Sequence, residues 1–247
     1  MKLKMTLVAM ATIFAILGAQ AQKHSLRIMT YDVHNGIGCD KVHSYDRPAE
    51  IINKYKPDVV ALQELDSITS RIPDYVLGEL AERTGMYAYY GPAFNYAGGK
   101  YGVGILSKRA ALSVQQYAID CPSEPRTILI IELEECYFAS THWSMDPKER
   151  MSAVLRVRDI AATLDKPLFF GGDLNAEPDS PEIQTLKEYA TILTPTDKPT
   201  WNYFLDIPPT CIDYILCSGC DVKVRKSRII EGVKAAEHLP LLVDVKF

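Results

Sequence analysis

Five apolar runs in this chain each stop on polar, acidic or histidine residues, and that repetition restricts the fold more than any other feature. The sharpest is Pro167-Leu168-Phe169-Phe170 leading into GGDLNAEP at 171–178. The others are MTYDVHNG at 29–36, VVALQELD at 59–66, STHWS at 140–144, and CIDYIL at 211–216, the last followed by EHLP at 237–240. Short apolar runs bounded by turn formers read as strands buried on both faces. Strand residues alternate faces, so Asp173 and Asn175 are expected to point the same way with Leu174 packed behind them. A carboxylate beside an amide suits a hard cation and a phosphate oxygen. Alone, the same segment also fits an ordinary turn or a helix cap.

Between these runs the apolar spacing switches to that of helices. Pro48 to Tyr55 faces a core through Ala49, Ile52 and Tyr55, and Tyr75 to Arg83 does so through Val76, Leu77, Leu80 and Ala81, with Gly85 ending the helix. Pro147 to Leu164 is the longest predicted helix; Ser180 as N-cap and Pro181 at the first helical position open another. Further strands are expected at Leu26–Tyr31, Asp58–Leu62, Tyr101–Leu106, Ile128–Leu133, Tyr137–Thr141, Ile212–Leu216, Val222–Val224 and Leu241–Val245. Strands outnumber helices and come partly in adjacent runs, which predicts packed sheets flanked by helices.

Lys2 and Lys4 precede an apolar stretch from Met5 to Leu17, and Ala19-Gln20-Ala21 is a small-x-small cleavage site. This is the layout of a secretory signal peptide over residues 1–21, and the stretch is shorter than a membrane span requires. The expectation is a secreted or periplasmic protein with one domain over 22–247. Loss of Lys2 and Lys4 takes the net charge from −4 to −6. That argues against tight, sequence-independent duplex binding, which rests on Lys and Arg neutralising phosphates. Six cysteines in an exported chain predict disulfides. Cys217 and Cys220 fit a local disulfide or two inert thiols better than zinc, because no second CxxC or His cluster accompanies them.

The Gln-Glu of VVALQELD, the Gly-Asp-Leu-Asn, the Ile-Asp-Tyr-Ile and the His-Leu-Pro, in this order, resemble the endonuclease/exonuclease/phosphatase superfamily of DNase I-like metal-dependent phosphoesterases. The resemblance runs from about Leu26 to Phe247. It implies an α/β fold, a four-layer α/β/β/α sandwich with the site at one end of the two sheets. It implies Mg²⁺ or Mn²⁺ as cofactor, with Glu64 as a metal ligand. By the same resemblance His238 is the general base with Asp213 as its supporting acid, and His142 hydrogen-bonds the scissile phosphate. Asp173 aligns the attacking water, and Asn175 binds phosphate. Imidazole titrates nearest working pH, which suits the role given to His238.

Two positions depart from the family pattern. Asp32 stands where Asn is usual, and an ionised Asp can only accept hydrogen bonds, so it either adds a metal ligand or repels the substrate. Glu237 replaces the Asp usual before the histidine and is one methylene longer, so its metal contact depends on a backbone or rotamer adjustment. Arg126, Tyr101 and Asn35 fit substrate-binding places; a surface arginine, a core tyrosine and a solvated loop account for them equally well, as for His34. The substrate class is a phosphate ester: nucleic acid, a phospholipid head group or a small organic phosphate. No obligate protein partner is indicated. Loops 36–44, 95–100 and 201–209 are expected to line the cleft, with Phe94, Tyr96, Trp201, Tyr203 and Phe204 available for stacking. The competing reading is a catalytically impaired family member that binds phosphorylated lipid or glycan.

Overall fold

Alternating apolar residues along the buried strands send side chains to two different cores, and the chain folds accordingly into four layers. The structure, a computed structural model, describes residues 24–201 and 209–247. The predicted signal peptide, and Tyr203 and Phe204 of the 201–209 loop, lie outside the described residues.

The first sheet contains β1 (Ser25–Asp32), β2 (Val59–Ser67), β3 (Tyr87–Tyr96), β4 (Gly99–Ser107), β11 (Lys223–Ile229) and β12 (Leu241–Lys246), ordered β11-β12-β1-β2-β4-β3. The second contains β5 (Ser113–Ile119), β6 (Arg126–Glu132), β7 (Tyr137–His142), β8 (Leu168–Asp173), β9 (Thr191–Ile192) and β10 (Asp213–Ser218), ordered β5-β6-β7-β8-β10-β9. Helices α1 (Asp46–Tyr55) and α2 (Val76–Thr84) cover the first sheet; α3 (Pro147–Ala161) and α4 (Pro181–Leu186) cover the second. Ile28, Val59, Ala61, Phe138, Phe169 and Val243 pack between the sheets, whereas Met29, Tyr31, Val60 and Leu62 face α1 and α2. Leu168 and Phe170, flanking Phe169, face α3 with Val154, Val157 and Ile160. One strand thus serves two cores by its period of two.

The predicted caps form. Ser180 accepts from the Ile183 amide and Gly85 ends α2 at φ 67°. Helix α3 stops at Ala161, short of the predicted Leu164, and its N-cap Asp146 accepts from Lys148 and Glu149. The expected disulfides are not formed: all six cysteines are free thiols and all but Cys220 are buried. Of the two alternatives expected for Cys217 and Cys220, a local disulfide or two thiols, the structure has two thiols, with sulfurs 3.4 Å apart. Cys121 and Cys211 fill the core under α3 and α4, where they pack as small apolar groups.

Two parallel pairs position the site. β1 runs parallel to β2 and β7 parallel to β8; the other strand pairs are antiparallel. Parallel strands end at the same edge, so Asp32 lies opposite Gln63, and His142 opposite Asp173. Antiparallel β10 starts there, with Asp213 opposite Asp173. Gly171 and Gly172 let these layers close: a Cβ at 171 would sit 2.9 Å from Thr30 Cβ, and one at 172 only 2.0 Å from the Thr141 carbonyl oxygen. Gln63 ties the sheets together, its amide donating to Ser140 Oγ at 3.2 Å.

Candidate active site

The strand ends surround a cavity of about 600 Å³ lined by Glu64, His142, Asp173, Asn175, Glu237 and His238, with Arg71, Tyr96, Tyr101, Arg126 and Trp201 among its walls. Two local distortions aim its polar groups. β2 continues past Glu64 to Ser67, contrary to the strand end expected near Leu62. Its pairing with β4 slips between Leu62↔Gly104 and Leu65↔Gly102, so three residues on β2 advance against two on β4. This bulge holds Glu64 at φ 55° and re-aims its carboxylate. Asn175 likewise sits at φ 48° beyond the end of β8. Asp173 and Asn175 therefore converge through a left-handed turn, with the Asn175 amide on Asp173 Oδ1 at 2.7 Å, and not through the strand alternation expected. Leu174 is buried behind them as expected.

His238 Nδ1 donates to Asp213 Oδ2 at 2.9 Å, and its Nε2 lies 3.9 Å from Asp173 Oδ2. Burial pulls this imidazole down, but Asp213, Asp32 and Asp173 together outweigh burial and hold it well above the ordinary histidine range. Burial, reinforced by Asp213, raises Asp173 to about 7. Thr200, which the sequence reading missed, braces the pair: its buried hydroxyl accepts from the amides of Ile212 and Asp213, both at 3.0 Å, and its carbonyl accepts from Leu239. Nothing in the Pro-Thr-Trp sequence around it signals that role.

His142 is buried, and burial with nearby Arg126 drives it well below the ordinary histidine range, so it is neutral. Asn175 Nδ2 donates to the Trp143 carbonyl at 2.9 Å and lies 3.1 Å from His142 Nε2. The carbonyl fixes Nδ2 as the donor, so Nε2 accepts and the imidazole proton belongs on Nδ1.

Asp32 is fully buried; Oδ1 accepts from the His34 amide at 3.0 Å, while Oδ2 has no hydrogen-bond partner. Burial, then the neighbouring Glu64, raises it well above the ordinary carboxylate range. Asp32, Glu64 and His142, and again Asp32, Asp173 and His238, each bring one ligand atom within 4.8 Å of one another. Asp32, which stands in both groups and has a buried, unpartnered carboxylate oxygen, fits a divalent cation held by oxygens. The His142 tautomer makes Asp32 and Glu64 the cation-facing pair of the first group. Glu237 stands in neither group. Its longer arm reaches Lys41 at 2.7 Å and lies 3.9 Å from His34 Nδ1. Burial would raise the Glu237 carboxyl, but Lys41 and His34 hold it below its ordinary value.

Of the weaker assignments, Arg126 is buried in the cavity wall, not at the surface, and pairs with Glu124 at 2.9 Å. Tyr101 is both core and wall, its hydroxyl acidity suppressed by burial and by Glu64. Asn35 does not face the cavity: it is buried and its Oδ1 accepts from the Asp66 amide at 2.6 Å, a structural use of that side chain. Phe94, Tyr96 and Trp201 line the cavity, whereas loop 36–44 contributes Lys41 at the rim through Glu237.

The model of the Endonuclease/Exonuclease/phosphatase family matches residues 29–234. The chain belongs to this family. Its members hydrolyse phosphoester bonds, generally with a divalent metal, and this chain is a hydrolase of that class. No curated protein matches the sequence. The fold is similar to that of an endonuclease/exonuclease/phosphatase from Beutenbergia cavernae, with TM-score 0.76 and 19% identity over 90% of this chain and 72% of that one. It is also similar to a mannosyl-6-phosphatase from Bacteroides thetaiotaomicron, with TM-score 0.72 and 15% identity over 90% of this chain and 100% of that one. TDP2 of D. rerio, solved with a single-strand DNA product, has TM-score 0.70 and 17% identity over 90% of this chain and 98% of that one.

Proposed function

We propose that this family member is a divalent-metal-dependent phosphoesterase acting on phosphodiesters in preference to monoesters, by direct attack of water. The observation that carries the reading is the Asp213–His238 pair at 2.9 Å, its carboxylate buried and its imidazole partly so, facing Asp173 across 3.9 Å at the cavity floor. Above its raised pKa His238 is free at Nε2; water between that nitrogen and Asp173 would give its proton to His238 as its oxygen attacks phosphorus, the ester P–O bond breaks, and the leaving alkoxide takes a proton from solvent. Asp213 keeps the Nδ1 proton in place, so Nε2 is the basic nitrogen. The opposite wall takes the phosphate. A phosphate oxygen entering between Asn175 Nδ2 and His142 Nε2 would accept the Asn175 N–H and favour protonation of His142, which then becomes a second donor.

Asp32 and Glu64 would hold the cation, with Mg²⁺ or Mn²⁺ fitting the hard oxygen donors. When bound, the ion neutralises charge on the phosphate and lowers the cost of crowding these acids. Glu237, engaged with Lys41, supports the rim. Export to the periplasm or medium rests on Lys2, Lys4, the apolar stretch from Met5 to Leu17 and the cleavage site after Ala21; N-terminal sequencing of the exported chain should begin at Gln22.

The test is hydrolysis of bis-p-nitrophenyl phosphate beside p-nitrophenyl phosphate, with and without Mg²⁺ or Mn²⁺. His238→Ala should lower metal-dependent diester turnover by about 10²–10⁴-fold. A loss below tenfold rejects the base assignment; absence of metal-dependent turnover of either ester favours the binding-module reading.

A further inference from the structure

Arg71 lies in the bend between β2 and α2 and lines the same cavity as Glu64, Asp173 and His238. Its guanidinium is fixed from two directions. The fully buried Asp66 takes Nε and Nη2, each at 2.7 Å, and also accepts from Thr69 Oγ1 at 2.6 Å. The rings of Tyr96 and Tyr101 lie 4.4 and 5.7 Å from the guanidinium carbon, which orients its plane. The side chain nevertheless remains 45% exposed.

Partnership with a buried carboxylate is enough to explain one edge of Arg71. A guanidinium has a second edge, and here Nη1 has no hydrogen-bond acceptor among the described residues. Arg126, the other guanidinium of the cavity, pairs with Glu124 through Nη2 and is buried, its Nε without a hydrogen-bond partner, whereas Arg71 is half-exposed and open to a ligand from solvent. Apart from the catalytic His238, the remaining charged wall is chiefly acidic, with Glu64, Asp173, Glu177 and Glu237. A second anion on the substrate would be repelled over most of that wall and accepted at Arg71, where a pre-oriented fork loses little entropy on binding.

We propose that Arg71 is a specificity-determining residue that binds a second oxyanion, a phosphate or carboxylate carried by the same substrate whose ester phosphate occupies the catalytic groups. The inference deepens the phosphoesterase reading and rests on it for the position of the first phosphate. It assigns to this cavity substrates with two acidic groups separated by a short linker, and gives Tyr96 and Tyr101 the task of holding the fork in place.

The test measures binding without turnover, by calorimetry in EDTA. Alkane-α,ω-diol bisphosphates of three to six carbons are compared with alkyl monophosphates of equal length and with ω-phosphonooxy carboxylates. For the wild-type protein, one linker length should bind at least about tenfold more tightly than its monophosphate, the scale of one charge-assisted fork. Arg71→Gln should collapse that ratio to within about twofold, and Arg71→Lys, which keeps charge without the fork, should restore it only in part. Loss of a purely structural Asp66 contact would lower the melting temperature without altering the ratio. If the variants do not fold, the wild-type comparison still decides: absence of a two-anion advantage at every length overturns the proposal. Persistence of the advantage in Arg71→Gln overturns it equally. Equal gains from bisphosphate and carboxylate identify a general oxyanion site, and a gain from bisphosphate alone identifies a second phosphate. Failure of the phosphoesterase reading shows separately, as absent metal-dependent turnover of bis-p-nitrophenyl phosphate.

Discussion

Replacing Asp213 by Asn tests whether the Asp213–His238 pair does what its geometry suggests. Asn is nearly isosteric, and the Thr200 hydroxyl bonds to the backbone amide of residue 213, so the local frame should persist. What changes is the partner of His238 Nδ1, now 2.9 Å from a carboxylate oxygen. Without that charge the imidazole is free to protonate on the wrong nitrogen, and the expected loss in kcat is about 10²–10⁴-fold, or roughly 2.7–5.5 kcal/mol. A second readout has a definite sign. Burial lowers His238 and Asp213 leads the groups that raise it; removing Asp213 should move the acid limb of kcat/KM toward lower pH even as the plateau falls. Stability follows the same linkage. A histidine raised in the folded state contributes stability that is full below about 6.5 and is lost as pH rises through its folded value. Asp213→Asn should therefore destabilise most at pH 5.5 and least at pH 9, measured by urea denaturation. A plateau within tenfold of wild type, or an acid limb that does not move, refutes the assignment.

Three other substitutions probe the cation, the departures and the frame. Glu64→Gln keeps shape and removes charge; the metal concentration for half-maximal turnover should rise by at least the ~10–100-fold typical of losing a supporting partner at a metal site, and an unchanged metal titration rejects Glu64 as a ligand. Asp32→Asn should weaken metal binding and stabilise the metal-free protein above neutral pH, because a buried carboxyl raised in the folded state costs stability once ionised. Higher turnover at unchanged metal affinity would show that Asp32 repels substrate instead. Gly172→Ala places a Cβ 2.0 Å from the Thr141 oxygen, and the β7–β8 pair must separate; a loss of about 1–3 kcal/mol or more is expected in urea denaturation.

The parts of the fold that were readable in the sequence are its central strands, and the parts that were not are its four edges. β1, β2, β8 and β10 are buried on both faces and announce themselves as apolar runs. The edges β3, β5, β9 and β11 were missed or shortened. β3 contains Gly91 and Pro92, residues that argue against a strand unless it is an edge. β5 alternates between exposed and half-buried residues, and β11 reads KVRKSRI, with the charges that discourage further pairing. The charged residues after Val224 leave no apolar alternation, so only Val222–Val224 was legible as strand. At the site, residue identities were legible through the motifs, but their aim was not. The left-handed backbone at Glu64 carries no sequence signature, whereas Asn175 is of a residue type that favours that conformation without requiring it.

The two departures from the family pattern make more sense together than apart. An acid in place of Asn at 32 adds negative charge at the deepest point of the site, beside Glu64 and within reach of His142, His238 and Asp173. A longer acid at 237 removes charge from that same point, because its carboxylate turns to Lys41 at 2.7 Å. The number of acids directed at the cation-facing edge is thereby conserved while their source moves from the end of the chain to β1. Such an exchange keeps the local charge a divalent ion requires, whereas loss of function by drift would leave the balance unconstrained. A buried, unpartnered Asp32 oxygen is costly in any protein that has no use for it. Its presence in a residue common to both ligand groups supports a site that works with its own acid arrangement, and Asp32→Asn, which restores the family residue without restoring the shorter Asp at 237, is the substitution that separates exchange from decay.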